Sequence, residues 1–467
     1  MLKLAYFSDM NFTRAIETFF KRFLPSPFTI AILLTGITIV LAWTLTESQS
    51  SGNRLLEILS FWESGIWNNA LLVFAYQMML ILVLGHVLVL SKPVNNLIVN
   101  LSKNITNTAS AVVLVSVTTM LMAFLNWGLG LIFGAILARK VGEHAQRENI
   151  PLNYPLVGAS GYVGLMIWHG GISGSAPIKV AESNHIREFM SGISSPETLA
   201  LLPDSINFNQ TIFSWWNLLL FAILLVLVPL VLRRLAKHTK PTDFQLEDYK
   251  FSNERVHDLE GAERLDYSKT FGIGFGLVLL STFFYQYWEN LLSLQITPNM
   301  LNFFMLGLAI LLHKNFSSFL NAVEESIKDT SGILIQFPLY FGIMGIMKSS
   351  GLVVMISDFF VSIATETTLP IFTFFSAGLV NIFVPSGGGQ WAVQGPIVVE
   401  SAIQLGVPLP KAIMALAYGD QITNMLQPFW ALPLLGITKL KAKEILPYTL
   451  ILMLVGVAVY VLGLLLL

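Results

Sequence analysis

The sequence predicts an all-α polytopic membrane protein with inverted-topology repeats, two re-entrant hairpins and two broken transmembrane helices. Three observations predict it. Of the 467 residues, 54% are hydrophobic and only 12% are charged, with mean hydropathy +0.68. A soluble domain carries about 25% charge, so this chain has too few charges to cover a water-facing surface. Apolar runs of spanning length recur along it, and Gly/Pro-interrupted apolar segments stand at matching places in its two halves. The net charge of -1 offers no basic footprint for nucleic acid. With no cysteine, disulfides, thiolate metal sites and cysteine nucleophiles are excluded. Neither a cofactor nor a metal is expected.

Crossing a bilayer takes about 20 apolar residues per helix. Stretches 27–45, 69–90, 106–125, 212–232, 270–288, 299–313, 331–347, 368–384 and 446–467 read as full-length spans. Four others, 127–138, 154–178, 390–405 and 411–438, are short or interrupted by Gly, Pro and polar residues. Segments 92–105 and 352–364 mix polar and apolar residues as interfacial helices do. The one long polar stretch, 233–269, is too short to bury a core of its own. Lys21 and Arg22 precede a first run long enough to span, with no small-residue cleavage site after it, so it reads as a signal anchor.

The basic residues predict orientation. With the N-terminus inside and segments 106–138 and 368–405 folded as hairpins, 22 of the 27 Lys and Arg fall on the cytoplasmic side. They lie in 1–26, at Lys92 and Lys103, at Arg139, Lys140 and Arg147, in 233–269, at Lys314 and Lys328, and at Lys439, Lys441 and Lys443. Arg54, Lys179, Arg187, Lys348 and Lys411 are the remaining five. This excess follows the positive-inside rule, and full crossings at the hairpins would destroy it.

The halves also match in sequence. Asn126 pairs with Asn381, Pro151-Leu152 with Pro408-Leu409, Tyr162 with Tyr418 and Pro177 with Pro433, at offsets of 255 to 257 residues. A near-constant offset argues for duplication. The expected organisation is a first repeat over 1–268, with its hairpin near 106–138, its broken helix at 154–178 and a cytoplasmic loop at 233–269. A connecting helix at 270–288 inverts a second repeat over 299–467, with hairpin 368–405 and broken helix 411–438. Interrupted segments at corresponding positions point to a secondary transporter and its midplane site.

The chemistry concentrates at those interruptions. In Asn381-Ile-Phe-Val-Pro385-Ser386-Gly387-Gly388-Gly389-Gln390-Trp391, proline removes a donor and three glycines abandon the helix within apolar sequence. Such backbone is tolerated in a bilayer only where protein or a wet cavity covers it. The helix resuming near Gln390 presents free N–H groups to a carboxylate. Ser386, Gly387, Gly388, Gly389, Gln390 and Trp391 are therefore substrate-site candidates. Their first-half counterparts are Asn126, Gly128, His169, Ser173 and Ser175. An intramembrane carboxylate is a functional candidate by default, so Asp420 is expected to carry the coupling ion, aided by Asn381, Thr423 and Asn424. Packing glycines, a satisfied structural His169, and Asp420 as an interfacial cap are the bland alternatives. Lys179 fits a snorkelling role, and Glu400 can line the hairpin.

The runs Val384-Pro-Ser-Gly-Gly-Gly-Gln-Trp-Ala-Val-Gln-Gly-Pro396, Tyr418-Gly-Asp-Gln-Ile-Thr-Asn-Met-Leu-Gln-Pro-Phe-Trp430 and Trp168-His-Gly-Gly-Ile-Ser-Gly-Ser-Ala-Pro177 closely resemble the bacterial short-chain fatty acid transporter family, the AtoE type. The length and span order of most of the chain resemble it too. The resemblance implies uptake of acetoacetate, butyrate or similar monocarboxylates across the bacterial inner membrane by symport with a coupling ion, protons in the first place and Na⁺ otherwise. The Pro-Ser-Gly hairpin is more distantly similar to that of the ion transporter superfamily. That likeness implies a moving transport domain, a scaffold and a homodimer. The site residues above rest on the chemistry of the breaks, with Trp391, Phe429 and Trp430 as an expected wall for the acyl tail. A C4-dicarboxylate carrier or exchanger is the alternative within transport, for which His169 and Lys179 are the available cations. A hydrolase using Ser386 and His169 is the alternative outside it, although no Gly-x-Ser-x-Gly motif is present.

Overall fold

The computed structural model describes residues 15–467 apart from 17, 21, 49–51, 103–104, 192–198, 200–201, 247–260 and 293–295. Of the basic residues used for orientation, Lys3, Arg14, Lys21, Lys103, Lys250 and Arg255 lie outside the described residues, as does much of the polar loop. The described chain is helical throughout and contains no strand.

The first half runs α1 (Pro27–Leu45), α2 (Arg54–Ile66), α3 (Asn69–Val89), α4 (Lys92–Ser102), α5 (Thr108–Leu125), α6 (Trp127–Arg147), α7 (Tyr154–Ser160), α8 (Ser175–Ala181), α9 (His185–Met190) and α10 (Trp215–His238). The second runs α11 (Lys269–Leu292), α12 (Pro298–His313), α13 (Phe316–Ile327), α14 (Ser331–Ser349), α15 (Leu352–Ser362), α16 (Leu369–Phe383), α17 (Gly387–Gln404), α18 (Leu409–Thr423), α19 (Pro428–Thr438) and α20 (Ala442–Leu466). Seven of these, α1, α3, α5, α10, α11, α14 and α20, are long and apolar enough to cross a membrane, so the protein is multi-pass. Apolar side chains stay exposed on them, Trp43 at 57% and Tyr285 at 88% among them, as a hydrocarbon solvent allows.

Asparagine side chains start many of the helices. Asn53, Asn68, Asn107, Asn126, Asn153 and Asn315 each accept a hydrogen bond from a first-turn N–H, satisfying a donor that the helix itself leaves open.

Three expected segments differ from the sequence reading, and two helices have no expected counterpart. The expected spans at 299–313 and 368–384 form helices of 16 and 15 residues, below upright crossing length. The arm expected to end at 138 continues to Arg147. Its charges pair along the helix, Arg139 with Glu143 at 2.9 Å and Lys140 with Glu143 at 2.6 Å, and Arg139 also donates to the Ile437 carbonyl at 2.9 Å. The amphipathic helices α2 and α13, of 13 and 12 residues, have no counterpart among the expected elements.

Each half thus presents the same order: a short amphipathic helix, a spanning helix, an 11-residue helix, a helical hairpin, a broken segment and a spanning helix. The halves interlock. Gly65 on α2 and Gly342 and Gly345 on α14 let those helices touch, because a Cβ on any of them would strike the other helix. Gln77 on α3 donates to Asn299 on α12 at 2.8 Å, and Asn302 donates to the Gln77 carbonyl at 3.0 Å.

Candidate functional site

The first hairpin turns on one residue. Asn126 is extended (φ -154, ψ 127), while its Oδ1 caps α6 through Leu129 N–H at 3.0 Å. Gly130 lies against Ala123 and Gly134 against Thr119, so small residues bring α5 and α6 together. The second hairpin turns at Val384–Ser386; Gly387–Gly389, expected to interrupt the helix until Gln390, instead form the first turn of α17, because Ser386 Oγ caps it by accepting from Gly389 N–H at 3.2 Å. Gln390 donates to the Ala377 carbonyl at 2.8 Å and to Gln394 Oε1 at 2.7 Å, and Gln394 reaches Ser376 and Ser357. Gln390 therefore spends its amide N–H groups inside the hairpin, while its buried carbonyl oxygen has no partner.

Between α7 and α8 the chain passes through two short 3₁₀ turns, Val163–Met166 and Trp168–Gly170. Both hairpin tips meet this break. Ser173 Oγ accepts from Trp127 N–H at 2.9 Å at the first tip. At the second, a Cβ on Gly387 would lie 2.7 Å from the Trp168 ring, 3.0 Å from His169 Cε1 and 3.2 Å from Ser175 Oγ. Glycine is what permits that approach.

The two breaks are joined at their centre. His169 Nδ1 lies 2.5 Å from Asp420 Oδ2, with the side chains 0% and 1% exposed. His169 Nε2 accepts from Ala176 N–H at 3.1 Å. A neutral ring with its proton on Nδ1 satisfies both contacts. Asp420 Oδ1 is buried and has no partner. The neighbouring Gln421 Oε1 accepts from His169 N–H at 2.7 Å and Gly170 N–H at 3.3 Å, supplying the acceptor that the interrupted helix lacks. Gln421 Nε2 donates to Tyr460, whose hydroxyl donates to the Met166 carbonyl.

The remaining ion-site candidates form an adjoining cluster. Asn381 Nδ2 donates to Thr423 Oγ1 at 2.9 Å and Asn424 Oδ1 at 2.8 Å, Thr423 donates to the Gly378 carbonyl at 3.1 Å, and Gln427 donates to the Asn381 carbonyl. Asp420 and Asn424 stand one helical turn apart yet take different partners: Asp420 faces the first break and Asn424 the descending hairpin arm.

The tyrosines of the repeat, noted in the sequence only as repeat markers, are reciprocal ties. Tyr162 donates to the Asn424 and Gln427 carbonyls of the second break, at 2.8 and 3.1 Å. Tyr418 donates to Asn217 Oδ1 at 2.6 Å, and Asn217 Nδ2 holds the Gly170 carbonyl of the first break at 2.9 Å. Asn217, Gln421, Tyr162 and Tyr460 tie the two breaks of the candidate site together, and none is among the sequence-expected site residues. The Tyr162/Tyr418 match and the run of polar residues after Asp420 were the signals available for them.

The expected apolar wall divides. Phe429 stacks on Phe337 at 3.9 Å, and Trp430 meets Trp127 at 5.1 Å and Phe74 at 6.1 Å. Trp391 turns elsewhere, stacking on Phe189 at 5.3 Å and donating to His185 Nε2 at 3.3 Å. Lys179 pairs with Glu182 at 2.8 Å on an exposed surface, and Glu400 accepts from Gln404 at 3.0 Å. The serine–histidine pair of a hydrolase is not assembled: Ser386 caps α17, and His169 is held between Asp420 and Ala176 N–H.

Several known proteins align with nearly the whole chain. MtrF of Neisseria gonorrhoeae, described with a class of antimetabolite efflux pumps, aligns over 96% of this chain and 97% of its own at 14% identity and TM-score 0.42. The YdaH transporter of Alcanivorax borkumensis, described as having an unusual topology, aligns over 94% and 97% at 16% identity and TM-score 0.43. In sequence, a chain of Escherichia coli K12 assigned by name to short-chain fatty acid transport is 36% identical over 462 residues, covering 97% of this chain and 98% of its own. One from Haemophilus influenzae Rd, with the same assignment, is 34% identical over 461 residues, covering 97% and 98%. The short chain fatty acid transporter profile matches residues 10–467. The chain is thus a transporter and not an enzyme, and it belongs to the short-chain fatty acid transporter family.

Proposed function

We propose that this protein imports short-chain monocarboxylates, of the acetoacetate or butyrate type, by symport with a cation across the bacterial inner membrane. The observation that carries the reading is Asp420: a buried carboxylate with one oxygen on His169 and the other free, at the contact between the two breaks. A buried charge in a membrane is costly unless paired. A proton on Asp420 Oδ1 removes it and leaves every existing hydrogen bond in place. A proton on His169 would instead displace the Ala176 N–H from Nε2. Na⁺ bound at the free oxygen is the other occupant of the same position.

The substrate carboxylate docks at the start of α17, where Gly387 and Gly388 offer backbone N–H groups beside Ser386 and Ser175, and its short tail meets Trp168 and the neighbouring aromatic rings. The repeats insert in opposite orientations, with the N-terminus inside, and their re-entrant hairpins carry the site between the two faces of the membrane. His169 as a neutral ring held by Asp420 and Lys179 paired with Glu182 leave neither proposed cation for a second carboxylate, which favours one carboxylate over two.

The test is uptake of labelled butyrate and acetoacetate into proteoliposomes under separately imposed pH and Na⁺ gradients, with succinate as competitor. Saturable uptake driven by one gradient, and inhibited by short monocarboxylates more than by succinate, is expected. Absence of saturable uptake of any short monocarboxylate overturns the proposal.

A further inference from the structure

Away from the breaks, the start of α5 and the end of α10 frame a cleft of about 940 Å³, with α4 at its edge. Two cations line it from one face of α10. Arg233 and Lys237 are exposed, one helical turn apart, and neither has an ion-pair or side-chain hydrogen-bond partner among the described residues. Among the described residues, no acidic side chain lines the cleft. Asn100 on α4 adds a polar group. So does Thr239, whose hydroxyl oxygen is buried and unpartnered. Val113 and Leu114 continue the lining along α5, five to six residues past its first residue, or about 8 Å along its axis at 1.5 Å per residue.

We infer that this cleft binds the headgroup of an anionic phospholipid. Two unneutralised cations spaced by one turn suit a phosphate diester. The step from a cationic rim to an apolar floor follows the order of a lipid, from phosphate to acyl chain. The cleft lies where two membrane-spanning helices begin and end, beside the polar stretch whose charges predict the cytoplasmic face, where anionic lipids attract basic residues. Its volume greatly exceeds that of a four-carbon acid. Bound lipid would brace the base of the first hairpin against α10, and this assignment does not depend on which substrate is carried.

The experiment is native mass spectrometry of the full-length protein with equimolar phosphatidylglycerol and phosphatidylcholine. Each cation near an anionic membrane surface is worth about five-fold in binding. The wild type is therefore expected to retain phosphatidylglycerol preferentially by at least that factor, and the Arg233→Gln/Lys237→Gln variant to lose the preference. The charge-conserving Arg233→Lys/Lys237→Arg variant and a Lys441→Gln/Lys443→Gln control should keep it. An unchanged elution profile on gel filtration establishes that each variant is folded. Equal retention of the two lipids by wild type, or an unchanged preference in the Arg233→Gln/Lys237→Gln variant, overturns the inference. Displacement of phosphatidylglycerol by millimolar inorganic phosphate also overturns it, by making the site one for a soluble anion.

Discussion

His169 and Asp420, 251 residues apart in sequence, meet at 2.5 Å and join the broken segments of the two halves. Gln421 beside Asp420 holds the backbone of the same turn, so side chain and main chain of the first break are both fixed from the second. Any movement of one break relative to the other has to change this junction, and the proposed coupling of an ion to transport rests on that.

Asp420→Asn is accordingly the cleanest probe of coupling. The amide keeps the shape and can still accept from His169 Nδ1, so folding should survive. It cannot release a proton or neutralise Na⁺. Concentrative butyrate uptake under an imposed gradient should fall at least ten-fold, while exchange of internal for external substrate persists. Gradient-driven uptake equal to wild type would remove Asp420 from coupling. His169→Ala is the harsher change. It leaves Asp420 without its hydrogen-bond donor, and stripping such a bond from a buried charged group costs roughly 1.5–3 kcal/mol, which should appear as a lower melting temperature.

The glycines of the second tip separate packing from binding. A Cβ on Gly387 would press on Trp168 and His169, so Gly387→Ala should destabilise the fold by about 1–3 kcal/mol as an overpacked site. At Gly388 the nearest atom is Ser175 Oγ at 3.9 Å, and an added side chain has room. Gly388→Val should therefore leave the melting temperature near wild type and abolish saturable uptake by filling the space where the carboxylate docks. Wild-type transport by a well-folded Gly388→Val protein would take the tip out of the substrate site.

The breaks were legible because their chemistry is local. Pro385 has no N–H to give and Asp420 is a charge in an apolar run; Gly387–Gly389 misled, because Ser386 caps them into the first turn of α17. What joins them was not legible, since nothing near Asp420 announces a partner at His169. Burial also hid direction. Trp391 sits next to Gln390 in sequence, yet it turns towards α9 and away from Phe429 and Trp430. The helices α2 and α13 carry no spanning signal because they are too short and too polar. Arg139, Lys140 and Glu143 looked like the end of an arm, but their pairing at three- and four-residue spacing lets α6 run on through them.

Trp391 leads to a pH-dependent contact outside the spanning helices. Its indole N–H donates to His185 Nε2, and the His185 ring stacks on Phe189 at 5.3 Å. Burial holds the imidazole below its ordinary value; Glu182 and Glu188 pull it upward less strongly, and Lys179 pushes it down. The free histidine protonates near about 6.5, so the open form gains a proton at a higher pH than the closed one. The contact is fully stable above that value and weakens as pH falls through it towards the lower value of the folded state. Hydrogen exchange of residues 185–190, corrected for intrinsic rates, should be flat from pH 8 to 7 and rise below pH 6.5. In His185→Gln, where an uncharged amide replaces the ring, the rise should disappear. An identical rise in that variant would assign the pH dependence to Lys179, Glu182 or Glu188 and not to the His185–Trp391 contact.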